Sequence, residues 1–249
     1  MSKVLVIPDV HMDVRVIEHG IELADKLRAD QIVMLGDYFD DWFAVDSQYD
    51  EMIKYLKNLL NRRKDIIPLL GNHELSYLGY PCSGHRKSVK SKVYNALKED
   101  FRFLYCVAID GILYSHAGAT QQWLLENKIV TTNMLRYKMS KKAGAAFLES
   151  RINAAGWEPM KRVGPARGGK SIPSPLWCDL TELISNEIPT VKQVVGHTPI
   201  SEIECIGNCW FTDVFSNNNI SDEYLFVVDG KPEIKHYNQE FYDDGKIWC

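Results

Sequence analysis

The chain has 249 residues, 45% of them hydrophobic and 25% charged, with 29 basic against 33 acidic side chains and a formal net charge of −4. That composition belongs to a folded soluble protein and excludes a disordered, collagen-like or coiled-coil chain. The mild acidity also argues against a surface built to coat nucleic acid, so no stable nucleic-acid binding is expected.

The apolar run in MSKVLVIPDV ends at Pro8-Asp9, too short for a secretory signal. No run approaches the ~18 apolar residues of a membrane span. A cytoplasmic protein with no membrane partner is therefore expected. The six cysteines (Cys82, Cys106, Cys178, Cys205, Cys209 and Cys249) are scattered, and Cys205 and Cys209 do not have zinc-knuckle spacing, so all six are expected to be reduced.

In chain order, Val4–Ile7 reads as a short strand. Asp13 suits the cap of a helix running to about Arg28, with Val16, Ile17, Ile21, Ala24 and Leu27 near one face. Ile32–Leu35 is a second buried strand, Glu51–Arg63 a second amphipathic helix and Ile66–Leu70 a third strand. This β-α-β-α-β order predicts parallel strands with right-handed crossovers. Arg86–Lys98 is expected to be helical, and Phe103–Ala108 and Ile112–Ser115 to be strands around the turn Asp110-Gly111. Residues 120–160 read mostly as helix, and 161–175, rich in Gly and Pro, as loop. Strands return at Gln193–Val195, Ile203–Ile206, Cys209–Val214, Tyr224–Val228 and Glu233–His236. The whole of 1–249 is expected to form one domain, with a helical and loop-rich insertion or cap at roughly 119–190.

Chemistry concentrates just after the strands. Asp9 and His11 follow the first, Asp37 and Asp40 the second, and Asn72, His73 and Glu74 the third. His116 and His197 each follow a later strand. Ligands of open α/β sheets gather at the carboxyl ends of strands. Any one of these residues has a plainer reading: Asp and Asn suit turns and caps, and a lone His suits a core. Their joint placement points instead to metal. Mixed oxygen and imidazole donors suit Mn²⁺, with Fe or Zn²⁺ as alternatives. Asp9 and His11, two apart in an extended segment, can chelate one ion, while Asn72, His116 and His197 can hold a second. Asp37 is placed to bridge both. Two such ions activate water and hold phosphoryl oxygens. Glycines precede Asp37, Asn72 and His197, allowing tight turns.

These segments, Asp9-Val-His11, Gly36-Asp37-Tyr-Phe-Asp40, Gly71-Asn72-His73-Glu74, Ser115-His116-Ala-Gly118 and Gly196-His197-Thr198-Pro199, resemble the five ordered motifs of calcineurin-like metallophosphoesterases. They span residues 9 to 199. The Gly-Asn-His-Glu motif, the single His before Thr198-Pro199 and Pro173–Asp179 lean towards the phosphoprotein phosphatase branch, which also holds symmetrical diadenosine tetraphosphatases. The resemblance implies an α/β fold, a four-layer α/β/β/α sandwich of mixed sheets flanked by helices. It implies two divalent ions, the first on Asp9, His11 and Asp37 and the second on Asp37, Asn72, His116 and His197. A metal-bridging hydroxide would attack phosphorus in line. His73 would be the general acid, oriented by Asp40; a third metal ligand is its rival role.

The branch continues its second motif as Asp-Arg-Gly, whose Arg grips the phosphate; here Asp41-Trp42 follows Asp40. A carboxylate has the wrong charge for that task. Arg167, with Arg162 behind it in the Gly-rich loop, is the candidate replacement, and Arg86 a third possibility. The expected substrate is a phosphate ester, with a Ser/Thr phosphoprotein first. A dinucleoside polyphosphate or cyclic phosphodiester is the alternative, and a non-catalytic scaffold a further one.

Overall fold

The computed structural model describes residues 2–41, 43–79, 85–137, 141–216 and 221–242. Ten strands are β1 (Lys3–Ile7), β2 (Gln31–Met34), β3 (Ile66–Pro68), β4 (Cys106–Ile109), β5 (Ile112–Ser115), β6 (Lys192–Val195), β7 (Glu204–Ile206), β8 (Cys209–Phe211), β9 (Glu223–Val228) and β10 (Lys231–His236). They form two five-stranded sheets, ordered β10-β9-β1-β2-β3 and β4-β5-β6-β8-β7. Both are mixed: β1, β2 and β3 run parallel while β9 is antiparallel to β1, and β5, β6 and β8 run parallel between antiparallel β4 and β7. The parallel β-α-β-α-β start matches the expectation from sequence.

Alternation along the strands builds the layers. Val4 and Val6 of β1 face the second sheet, in one cluster with Val33, Leu35, Tyr114, Val194 and Leu225. Leu5 and Ile7 point the other way, into a cluster with residues of α1 (Val14–Leu27) and α2 (Asp46–Arg62), among them Ile17, Leu23, Met52 and Leu56. Full burial of side chains such as Ile17 and Leu56 contributes about 1.5–3 kcal/mol each. On the outer face of the second sheet, Cys106 and Leu113 share a cluster with Trp123 of the helix Gln121–Glu126 and with Ala145, Leu148 and Ile152 of the helix Lys141–Asn153. The result is the expected α/β/β/α sandwich. Among the described residues no helix is long and apolar enough to cross a membrane.

Local chemistry explains the boundaries. The Asp13 side chain accepts the Arg15 N–H at 3.0 Å and caps α1 as expected. The second helix starts at Asp46, ahead of the expected Glu51. Its cap is Val45, which has no side-chain acceptor, and Gln48 Oε1 instead reaches back to the Val45 N–H at 2.7 Å. Asp110 and Gly111, with φ of 50° and 82°, make the tight turn between β4 and β5. The 86–98 segment is helical but broken into a 3₁₀ turn, the helix Lys90–Asn95 and a wide final turn. The 161–175 loop holds one short 3₁₀ turn, Pro165–Arg167. Cys106, Cys178 and Cys209 are buried and Cys205 exposed, all as free thiols. Trp42, Cys82 and Cys249 lie outside the described residues.

Candidate metal centre

Five strands end at one place. Asp9 follows β1, Asp37 follows β2, and Asn72 opens α3 (Asn72–Tyr77) just after β3. From the other sheet, His116 follows β5 and His197 follows β6. All five are buried. The backbone bends sharply to deliver them: His11, Asp37, Asp40 and His197 have φ of 42°, 50°, 75° and 66°. The left-handed region costs an L-residue about 1–2 kcal/mol, and such strain clusters at functional sites. Gly36 has a φ of +117°, and a Cβ on Gly71 would lie 2.1 Å from Asp37 Oδ1. Gly36 is thus required by conformation and by space, since its Cβ would also lie 2.5 Å from Gly71 N, whereas Gly71 is required by space.

The donors converge in two groups that share Asp37: His11, Asp37 and His73, and Asp37, His116 and His197. Asp37 Oδ2 lies 3.8 Å from His11 Nε2, 4.0 Å from His73 Nε2 and 3.5 Å from His116 Nε2. Asn72 Oδ1 is 2.7 Å from His116 Nε2 and 2.9 Å from His197 Nδ1. Asp9 stands beside the second group; its carboxylate accepts the His197 N–H at 2.9 Å and lies 3.7 Å from His116 Nδ1.

This donor set fits a cation. His116 Nδ1 sits 3.1 Å from the Leu35 carbonyl, which can only accept, so Nδ1 carries the proton and Nε2 presents a lone pair. That lone pair meets the Asn72 carbonyl oxygen with no hydrogen between them. His197 Nε2 is buried without a hydrogen-bond partner. Burial lowers the pKa of both His116 and His197, keeping them as neutral donors. Nearby, burial and the neighbouring Asp213 and Asp37 carboxylates push Asp9 well up. Crowded buried carboxylates and lone pairs of this kind are relieved by divalent ions.

Around the donors lies a supporting shell. Asp40 Oδ2 is 3.3 Å from His73 Nδ1, and the Asp40 carbonyl lies 2.9 Å from His11 Nδ1, which leaves His11 Nε2 facing Asp37. Burial alone would lower the His73 pKa, but Asp37 and Asp40 outweigh it and lift the imidazole to about 9. Glu74, present in the Gly-Asn-His-Glu motif but given no role there, is fully buried. Its carboxylate accepts four backbone N–H groups, those of Asp37, Tyr38, Phe39 and Gly71, at 2.9–3.2 Å. It thereby ties the loop after β2 to the loop after β3. Asp213, after β8, is another buried carboxylate that sequence reading missed; no repeated pattern marks it, and only the fold brings it beside Asp9.

Of the arginines, Arg167 reaches the centre. Its Nη2 donates to the His197 carbonyl at 3.2 Å and to Thr198 Oγ1 at 3.1 Å, and its Nε lies 3.1 Å from Asp179 Oδ2. Arg162 does not: it pairs with Glu126 at 3.1 Å. Arg86 binds Asp46 and the Ala44 carbonyl beside the start of α2. Tyr38 and Phe39 are core side chains, whereas Phe43 is 88% exposed.

The calcineurin-like phosphoesterase family model matches residues 2–201. The chain belongs to that family, and it is an enzyme of phosphoric-ester hydrolysis. Its fold is similar to the cold-active protein-tyrosine phosphatase of a psychrophilic Shewanella species, with 17% identity over 96% of this chain and 78% of that one and a TM-score of 0.55. More distant likenesses are a metallophosphoesterase from Sphaerobacter thermophilus (13% identity, 98% and 94% coverage, TM-score 0.47) and the phosphoesterase Yfce from E. coli (12%, 96% and 94%, 0.44). No curated protein sequence matches the chain.

Proposed function

We propose that the chain is a two-metal phosphomonoesterase of the Ser/Thr protein phosphatase type. The observation that carries this reading is the placement of Asp37 between two groups of donors that share its carboxylate. In it, Asp9, His11 and Asp37 hold one divalent cation, and Asp37, Asn72, His116 and His197 hold the other, with manganese first among the candidates. Bound there, the pair would lower the proton affinity of a water and draw charge from the phosphoryl oxygens.

The remaining work falls to side chains. His73, whose Nδ1 faces the Asp40 carboxylate at 3.3 Å, gives its Nε2 proton to the departing oxygen. Asp40 holds its Nδ1 side and so fixes the ring. Arg167, anchored by the His197 carbonyl and Thr198, offers the remaining positive charge for the phosphate, a task Asp41 cannot perform. Residues 1–249 act as one domain, with an insertion or cap at roughly 119–190.

Asp41 in place of an arginine also leaves room for a nucleotide phosphoester as substrate. The test is turnover of a phosphoserine peptide, p-nitrophenyl phosphate, its bis-ester and a dinucleoside polyphosphate with Mn²⁺ present, alongside elemental analysis. Preference for the monoesters and two equivalents of metal support the reading. Preference for the bis-ester or the dinucleotide replaces it with the nucleotide one, and no turnover of any ester refutes both.

A further inference from the structure

The Asp40 carboxylate is fastened on both oxygens. Oδ2 faces His73 Nδ1 at 3.3 Å. Oδ1 accepts the Tyr49 hydroxyl at 2.9 Å and the Tyr77 hydroxyl as well. Tyr49 sits in the first turn of α2 and Tyr77 closes α3, so two separate helices send a phenol to the same oxygen. Both side chains are fully buried, and Phe39 stacks beside Tyr49 with ring centroids 6.4 Å apart. Phenylalanine would fill the same volume, so packing alone does not call for the hydroxyls.

A carboxylate free to turn about its Cβ–Cγ bond presents no fixed acceptor. Two O–H donors on one oxygen set the plane of the group and leave the other oxygen aimed in one direction. We propose that Tyr49 and Tyr77 are positioning residues for leaving-group protonation: they lock the Asp40 carboxylate so that it holds the His73 ring by Nδ1 and leaves Nε2–H for the substrate. The inference rests on His73 being the general acid. As a water oxygen bonds to phosphorus and releases a proton to solvent, the P–O ester bond breaks, its electron pair goes to the leaving oxygen, the Nε2 proton joins that oxygen, and neutral His73 regains a proton from solvent. Neither tyrosine touches the ester.

The experiment compares phenyl phosphate with p-nitrophenyl phosphate on the metal-replete enzyme. Nitrophenolate departs as a stable anion and needs the acid little, whereas phenolate needs it more. Tyr49→Phe, Tyr77→Phe and the double variant are measured beside His73→Ala. For the double variant, the phenyl to p-nitrophenyl ratio of kcat should fall by about tenfold or more, with KM and metal content unchanged. Each single variant should show a smaller fall in the same direction, which preserves the test if the double variant does not fold. Equal losses on both substrates, or none, would overturn the inference. If His73→Ala lowers the ratio while the tyrosine variants leave it flat, only the positioning role fails. A flat ratio in His73→Ala removes the general acid and this inference with it.

Discussion

At the scale of single residues, Asp37 has the most to lose. Its carboxylate is shared by both donor groups, so Asp37→Ala should abolish metal retention and turnover together, as read by elemental analysis beside an ester assay. Retention of two equivalents would refute the bridging role. His73→Ala should instead keep metal and lower turnover by roughly 10²–10⁴. Protonation gives a separate handle on the metal-free protein. Burial and the Asp37 charge lift Glu74 from 4.5 to about 8, and Asp37 and Asp40, against burial, lift His73 from 6.5 to about 9. Both groups bind a proton more tightly when folded than when unfolded. Their contribution to stability is therefore lost as pH rises from about 4.5 through about 9; His116 and His197, lowered by burial, act the other way below about 6.5, so urea midpoints should fall between about 6.5 and 9. A rising midpoint would contradict the assignment. The donors themselves were legible because each sits directly behind an apolar strand. Glu74 was not, since nothing in a linear motif says that one carboxylate will collect four N–H groups from two loops.

Among the elements, the strand–loop junctions decide whether the donors meet. A Cβ on Gly196 would stand 2.0 Å from Asp9 Oδ2. Gly196→Ala should push the Asp9 carboxylate aside and weaken metal affinity by about 10–100-fold, measurable by titration with Mn²⁺. Unchanged affinity would mean that Asp9 is not held where it must act. The strands were readable from short β-branched runs, and α1 from its Asp13 cap and one-sided apolar pattern. The start of α2 was hidden because Val45 carries no capping signal and the cap is completed by Gln48. The fate of the arginines was equally hidden. Arg162 and Arg167 are near neighbours in sequence, yet the turn at Pro165–Arg167 sends one to Glu126 and the other to Thr198.

For the molecule as a whole, the centre is a joint between layers. One sheet contributes Asp9, Asp37 and Asn72, and the other His116 and His197. Metal bound at a hundredfold excess over its Kd adds about 2.7 kcal/mol, so chelation should lower the melting temperature by about 5–10 °C. No shift would count against a cation that ties the sheets together. The order of the first sheet has a consequence for synthesis. Val4 of β1 lies opposite Val227 of β9, so β1 finds this neighbour only after β2 to β8 have been made. A growing polypeptide that has released His197 already owns every proposed donor, yet one flank of β1 is still bare. Exposed strand flanks invite pairing with other chains. Ribosomal stalling between those points should therefore yield aggregates rather than a slow but productive intermediate.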